Sequence, residues 1–209
     1  MKKPLLLAAI LLICWQFSNA QLRIAVAGGA HSSTIHETND LPNWDEMKNN
    51  YSSRVGAHFG FIADLQLGPK SKFYAQPGVM FYNKGRKFSG TYDTAVYNYF
   101  SIDAKQFINY VDIPLNLVYK IPISDKTKFF LGGGPYLSFF YNGLERKETY
   151  LKDGKFETEE NTDLPIGNAP GKYKTFDLGV NGTAGIEFGG VFIAANFSRG
   201  LTDMYTATY

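Results

Sequence analysis

The chain has 209 residues and carries 21 Lys and Arg against 19 Asp and Glu, so it is nearly neutral and offers no basic patch for nucleic acid. Its one cysteine, Cys14, falls in a removable N-terminal segment, which leaves the mature chain without disulfides or thiol chemistry. Phe, Tyr and Gly are abundant, and the mature length of about 190 residues suits one domain.

Residues 1–20 read as a secretory signal. Lys2 and Lys3 form a positive start, Leu5 to Ile13 an apolar run, and Ser18-Asn19-Ala20 a small-residue cleavage site that leaves Gln21 first. The apolar run is about nine residues, against roughly 20 for a spanning helix. A lipoprotein signal would want a small residue before Cys14, and Ile13 is not small. No later segment is long and apolar enough for a spanning helix, so any crossing must be made by strands.

From residue 21 to 209 the chain reads as one unit of alternating strands. Seven are expected: Leu22–Gly29, Arg54–Leu65, Phe73–Tyr82, Tyr110–Tyr119, Phe129–Tyr141, Phe176–Phe188 and Val191–Phe197. Their connectors alternate in length. Gln66–Ser71, Pro122–Lys126 and Gly189–Gly190 are short; Ser32–Ser53, Gly85–Lys105 and Asn142–Lys172 are long. Tight turns at one end and long polar loops at the other are the layout of an outer-membrane barrel.

Successive side chains point to opposite faces of a strand. In Arg54–Leu65, Val55, Ala57, Phe59, Phe61, Ala63 and Leu65 oppose Arg54, Gly56, His58, Gly60, Ile62 and Asp64. The polar face is Gly, Asn, Asp, Gln and isolated Arg, which suits a cramped interior better than a water-facing surface. The apolar face carries aromatics toward its ends. Phe73, Tyr119, Phe129 and Phe188 lie near the short turns, and Phe81, Phe139, Tyr141 and Phe176 near the long loops. They form two expected interfacial girdles.

Particular stretches carry a family likeness. Tyr110-Val-Asp-Ile-Pro-Leu-Asn-Leu117 precedes a short Pro-containing turn and Lys128-Phe-Phe-Leu-Gly-Gly-Gly-Pro-Tyr136. Phe176-Asp-Leu-Gly-Val180 leads to Gly185-Ile-Glu-Phe188 and Ala195-Asn-Phe-Ser-Arg-Gly200. This resembles the outer-membrane β-barrel domain proteins of the Bacteroidota, the porin-family or PorT-like group, across nearly all of the mature chain. The resemblance implies an eight-stranded barrel in the outer membrane and no catalytic residues. The end of the chain departs from that pattern. Met204–Tyr209 alternates only weakly, and six residues span roughly 20 Å, short of the 9–11 residues of a tilted spanning strand.

Arg23, Arg54, His58, Asp64, Asp112, Asp177 and Glu187 are expected to face the lumen as a charge network, because an eight-stranded interior is only wide enough to be filled by side chains. His31, Ser32, Ser33, His36 and Glu37 crowd the first long loop; a hydrolase at the outer rim would need such a Ser, His and acid together. Tyr150-Leu-Lys-Asp-Gly-Lys-Phe-Glu157 carries an Asp-Gly hairpin signal. Glu157, Glu159, Glu160 and Asp163 form an acidic stretch that matches no calcium loop. Trp44, Tyr92, Tyr97, Tyr99 and Phe100 are expected as exposed loop aromatics.

These readings converge on an all-β protein, an eight-stranded antiparallel up-and-down transmembrane β-barrel in the outer membrane with its last strand short or missing. A non-enzymatic structural or surface role through the long loops is expected, without cofactor or metal. Outer-membrane lipid, lipopolysaccharide or another outer-membrane protein would be the partner. A narrow channel or accessory barrel of an assembly or secretion complex, and a lipid A or phospholipid hydrolase at the rim, are the alternatives.

Overall fold

A computed structural model describes residues 22–37, 44–92, 100–151, 155–167 and 169–205. The signal segment lies outside these. The strands are β1 (Leu22–Ser33), β2 (Tyr51–Gln66), β3 (Phe73–Lys84), β4 (Arg86–Tyr92), β5 (Phe100–Pro122), β6 (Thr127–Leu151), β7 (Phe156–Asp163), β8 (Phe176–Phe188) and β9 (Val191–Gly200). A single helical turn, α1 (Trp44–Met47), sits in the first long connector.

All nine strands belong to one antiparallel sheet, and seven form its wall in the order β1-β2-β3-β5-β6-β8-β9. The expected count of eight is therefore corrected to nine described strands. The two extra ones lie in the long connectors: β4, in a connector expected as a loop, pairs β5 and the start of β2, and β7 pairs β6 across the expected hairpin at Tyr150–Glu157. The chain passes from β3 to β4 through Gly85, whose φ of 146° favours glycine and where a Cβ would meet the Gln106 carbonyl at 1.9 Å. β5 and β6 run 23 and 25 residues, about twice what a bilayer needs, so their upper parts rise beyond it as a ribbon.

Face assignment follows the alternation. Ile24 and Val26 are 72% and 80% exposed, and Phe59, Phe61, Leu115, Leu131 and Ile193 share that outward apolar surface. Tyr74, Val118 and Phe130 pack inside with Phe192, and Ile108, Tyr110 and Phe140 pack in a second layer toward the long-loop end. Gly189 and Gly190, at φ of 56° and 96°, make the two-residue turn between β8 and β9.

β1 and β9 are the outer members of the wall order and point the same way, each running from the short-turn end toward the long-loop end. Beyond Gly200 the chain does not turn down as a short eighth strand over the described part of 204–209. Leu201 N–H donates to Leu178 O, Lys174 N–H donates to Met204 O, and Tyr205 bridges Tyr173. The segment continues β9 upward, because backbone groups before β8 offer it further antiparallel pairing.

Candidate functional site

The lower lumen is built around Lys120. Its ammonium lies 2.8 Å from Asp64 Oδ2 and 2.9 Å from Glu187 Oε2, with the side chain 1% exposed. Arg23 donates to Glu187 Oε1 at 2.6 Å and also bonds Asp64, while Gln76 Nε2 donates to Asp64 Oδ1 at 2.8 Å. Two cations meet two carboxylates, so the cluster is neutral. The rings of Tyr74 and Phe192 lie 4.2 and 4.8 Å from Lys120 Nζ. A buried charge left unpaired is costly, and here each carboxylate takes more than one partner.

A second cluster fills the upper lumen. Lys84 Nζ lies 2.7 Å from Asp112 Oδ2, Ser138 Oγ also bonds Asp112, and the rings of Tyr82, Tyr110 and Tyr136 surround the ammonium at 4.9–5.3 Å. Asp177 accepts from Thr202 Oγ1 at 2.5 Å. His58 stacks on Tyr82 at 4.9 Å and places Nδ1 3.3 Å from His31 Nδ1. Arg54 joins neither carboxylate group. It donates to the Asn83 and Lys84 carbonyls at 3.0 and 3.2 Å and stacks over Phe107 at 4.1 Å.

Five of the seven expected charges thus fall in two layers, Arg23, Asp64 and Glu187 in the lower and Asp112 and Asp177 in the upper, while His58 meets His31 and Tyr82 and Arg54 binds backbone carbonyls and Phe107 instead. Sequence reasoning missed Lys120, Lys84 and Gln76. Lys120 follows Asp112, Pro114, Asn116 and Val118 on the same face, so the alternation could have found it one residue past the expected strand end.

Of the expected girdle aromatics, Phe73 packs on Tyr119 at 4.9 Å and Phe139 on Phe176 at 6.4 Å. Phe81 stacks on Phe59 at 5.1 Å, while Phe129, Tyr141 and Phe188 are exposed on the same outward surface.

Beyond the wall, β4, the upper parts of β5 and β6, and β7 form a platform. Its inward face holds an open recess of about 310 Å³ lined by Tyr51, Arg86, Phe88, Ile102, Gln106 and Glu145. Arg86 pairs with Glu37 at 2.7 Å, lies 4.0 Å over the Tyr51 ring and donates to Gln106, which donates to Glu145 at 2.7 Å. Burial pushes the Tyr51 hydroxyl up from its ordinary range. Trp44, expected as exposed, is buried against Tyr51 at 5.9 Å. Tyr92 stacks on Phe100 at 5.3 Å, and Tyr97 and Tyr99 lie outside the described residues.

Of the rim residues, Ser33, His31 and Glu37 turn to different partners. Ser33 Oγ is held by Gly85, donating to its O and accepting from its N, each at 2.9 Å. His31 turns to His58, and Glu37 turns to Arg86. The acidic stretch on β7 also disperses: Glu159 contacts Arg146 at 3.5 Å, while Glu160 contacts Lys147 at 3.6 Å on the opposite face.

An apolar outer surface, a charged and packed interior, and strands lengthened at one end define a membrane β-barrel. The chain belongs to the outer membrane protein beta-barrel domain family, whose model matches residues 16–206. It is a protein of the outer membrane. In comparison with curated proteins and with solved structures, nothing matches.

Proposed function

We propose that this chain is a non-enzymatic barrel with a side-chain-filled lumen, acting structurally or by surface contact through the platform of β4, β5, β6 and β7. The Lys120 cluster carries this reading, because ions would have to displace a neutral set of charges held by at least five polar contacts. Short turns face the periplasm and the platform faces outward, as in other barrels of this build. Because β1 and β9 run in one direction, a single antiparallel strand between them would complete an eight-stranded wall. Outer-membrane lipid, lipopolysaccharide or another outer-membrane protein is the partner.

Planar-bilayer recording tests this directly. The filled lumen gives no steady single-channel current, whereas the narrow-channel alternative gives a large and persistent one.

A further inference from the structure

Three cations line up in register on the outward face of the platform, just beyond the apolar belt. Lys87 of β4 is paired directly with Lys105 of β5, and Lys105 is paired directly with Arg146 of β6. The face is fixed by alternation. Ala104, Gln106, Glu145 and Lys147 line the recess on the inner side, so Lys105 and Arg146 between them point the other way; Lys87 borders the recess and shares the face of Lys105, its direct cross-strand partner. Lys105 also continues the odd-numbered positions of β5 that carry Ile113, Leu115 and Leu117 on the lipid side.

Like charges directly opposite one another in a sheet are destabilising. Arg146 has partial relief from Glu159 at 3.5 Å and Asn161 at 3.4 Å. Lys87 and Lys105 make no ion pair among the described residues. The next rung of the same face, further from the membrane, is acidic: Asp103 is paired with Glu148, and Glu148 with Glu159. Below the cations, Asn83 donates to Asn109 at 2.5 Å and Asn109 to Asn142 at 2.6 Å. Charge on this surface is therefore sorted by depth: apolar belt, amide rung, cationic rung, acidic rung.

Arg146 lies five residues past Tyr141 of the upper girdle, and Lys105 six before Val111. At ~3.3 Å per residue and a tilt of ~40°, the rung stands roughly 12–15 Å beyond the girdle. Long stems let its cationic heads reach back toward the interface. The rung is continuous with the lipid-facing surface, so its occupant is the lipid that surrounds the barrel.

We infer that Lys87, Lys105 and Arg146 form a docking rung for phosphate-bearing headgroups of outer-leaflet lipid. This rests on the barrel reading above. The phosphates relieve the repulsion within the rung, and the acidic rung limits how far an anionic headgroup can climb.

The test uses the full chain folded in neutral detergent, with diphosphorylated lipid A and its dephosphorylated form as probes and native mass spectrometry as the readout. Wild type retains the phosphorylated form preferentially. The double variant Lys87→Gln/Lys105→Gln binds it more weakly by about tenfold or more, and Lys147→Gln, on the other face, matches wild type. Equal retention of the two probes, or equal binding by the double variant, overturns the rung. Thermal unfolding without lipid supplies a second readout. The double variant is expected to be as stable as wild type or more so; a lower midpoint would mean that Asp103 and Glu148 hold the rung internally, which also overturns it. A heat-modifiable gel band is checked first, and its absence would overturn the barrel reading together with the rung.

Discussion

The Lys120 ammonium sits 2.9 Å from Glu187 Oε2, joining β5 to a strand two places away in the wall. Its other partner, Asp64 at 2.8 Å, lies two places away on the opposite side. One side chain therefore ties together strands that share no backbone ladder. With one cysteine the chain can form no internal disulfide, and it gains from this a crosslink through its interior.

Replacing Lys120 with Ala leaves Asp64 and Glu187 with Arg23 as the one cation of the cluster. The variant is expected to lose about 3–5 kcal/mol, as when one partner of a buried ion pair is removed. Urea unfolding of the folded barrel in detergent measures the loss; an unchanged midpoint would mean that water already solvates the cluster.

Arg54→Ala removes two bonds to backbone carbonyls and the stack on Phe107. A loss of about 1–3 kcal/mol is expected from the unpaired carbonyls. Current through the variant should stay at the wild-type baseline, since Arg54 belongs to neither charged layer. A rise in conductance on this substitution would place it in an ion path instead.

Leu131 is exposed on the outward apolar surface of β6. Leu131→Arg is expected to cost about 2–4 kcal/mol in a bilayer. Measuring folding into vesicles and, separately, in short-chain detergent separates lipid exposure from packing. Equal tolerance of Arg at Leu131 in the bilayer would contradict the outward assignment.

Trp44 anchors the first long connector by packing on Tyr51, which in turn holds Arg86 over its ring. Trp44→Ala should make this connector more sensitive to limited proteolysis while the heat-modifiable band is unchanged. Loss of that band would show that the contact supports the wall as well as the loop.

Much of the wall was legible from local pattern. Phe176–Phe188 was expected over the residues that β8 occupies, and each of the other six expected strands lies inside an observed one or matches its start. The outward set of β2 and the girdle pairs Phe73–Tyr119 and Phe139–Phe176 follow from the same alternation. The Asp-Gly signal at Tyr150–Glu157 marked the hairpin that joins β6 to β7, and what the pattern missed was β4. Arg86–Tyr92 is seven residues long, with Lys87, Ser89 and Thr91 on one face and two aromatics, Phe88 and Tyr92, on the other. So short a run, with no aliphatic residue, reads as a loop.

The candidate site was less legible. Alternation put Arg23, Asp64, Asp112 and Glu187 on one face, but it carried no information on partners separated by 41 to 164 positions. It could not divide the charges into two layers or single out Lys120 as the hub. Nor could it separate Ser33 from His31, since a loop sequence does not say that the Ser33 hydroxyl will meet the Gly85 backbone.

The sequence by itself determined which residues share the outward apolar face and which share the inward one, because period-two alternation is a property of each strand alone. It also determined the end at which the connectors are long. Only the tertiary structure decided which inward charges meet, that Lys87, Lys105 and Arg146 share one rung, and that β1 and β9 run in the same direction. Those outcomes depend on the register between strands distant in the chain. That register is set by the summed pairing and packing of the whole sheet, and no local window of residues contains it.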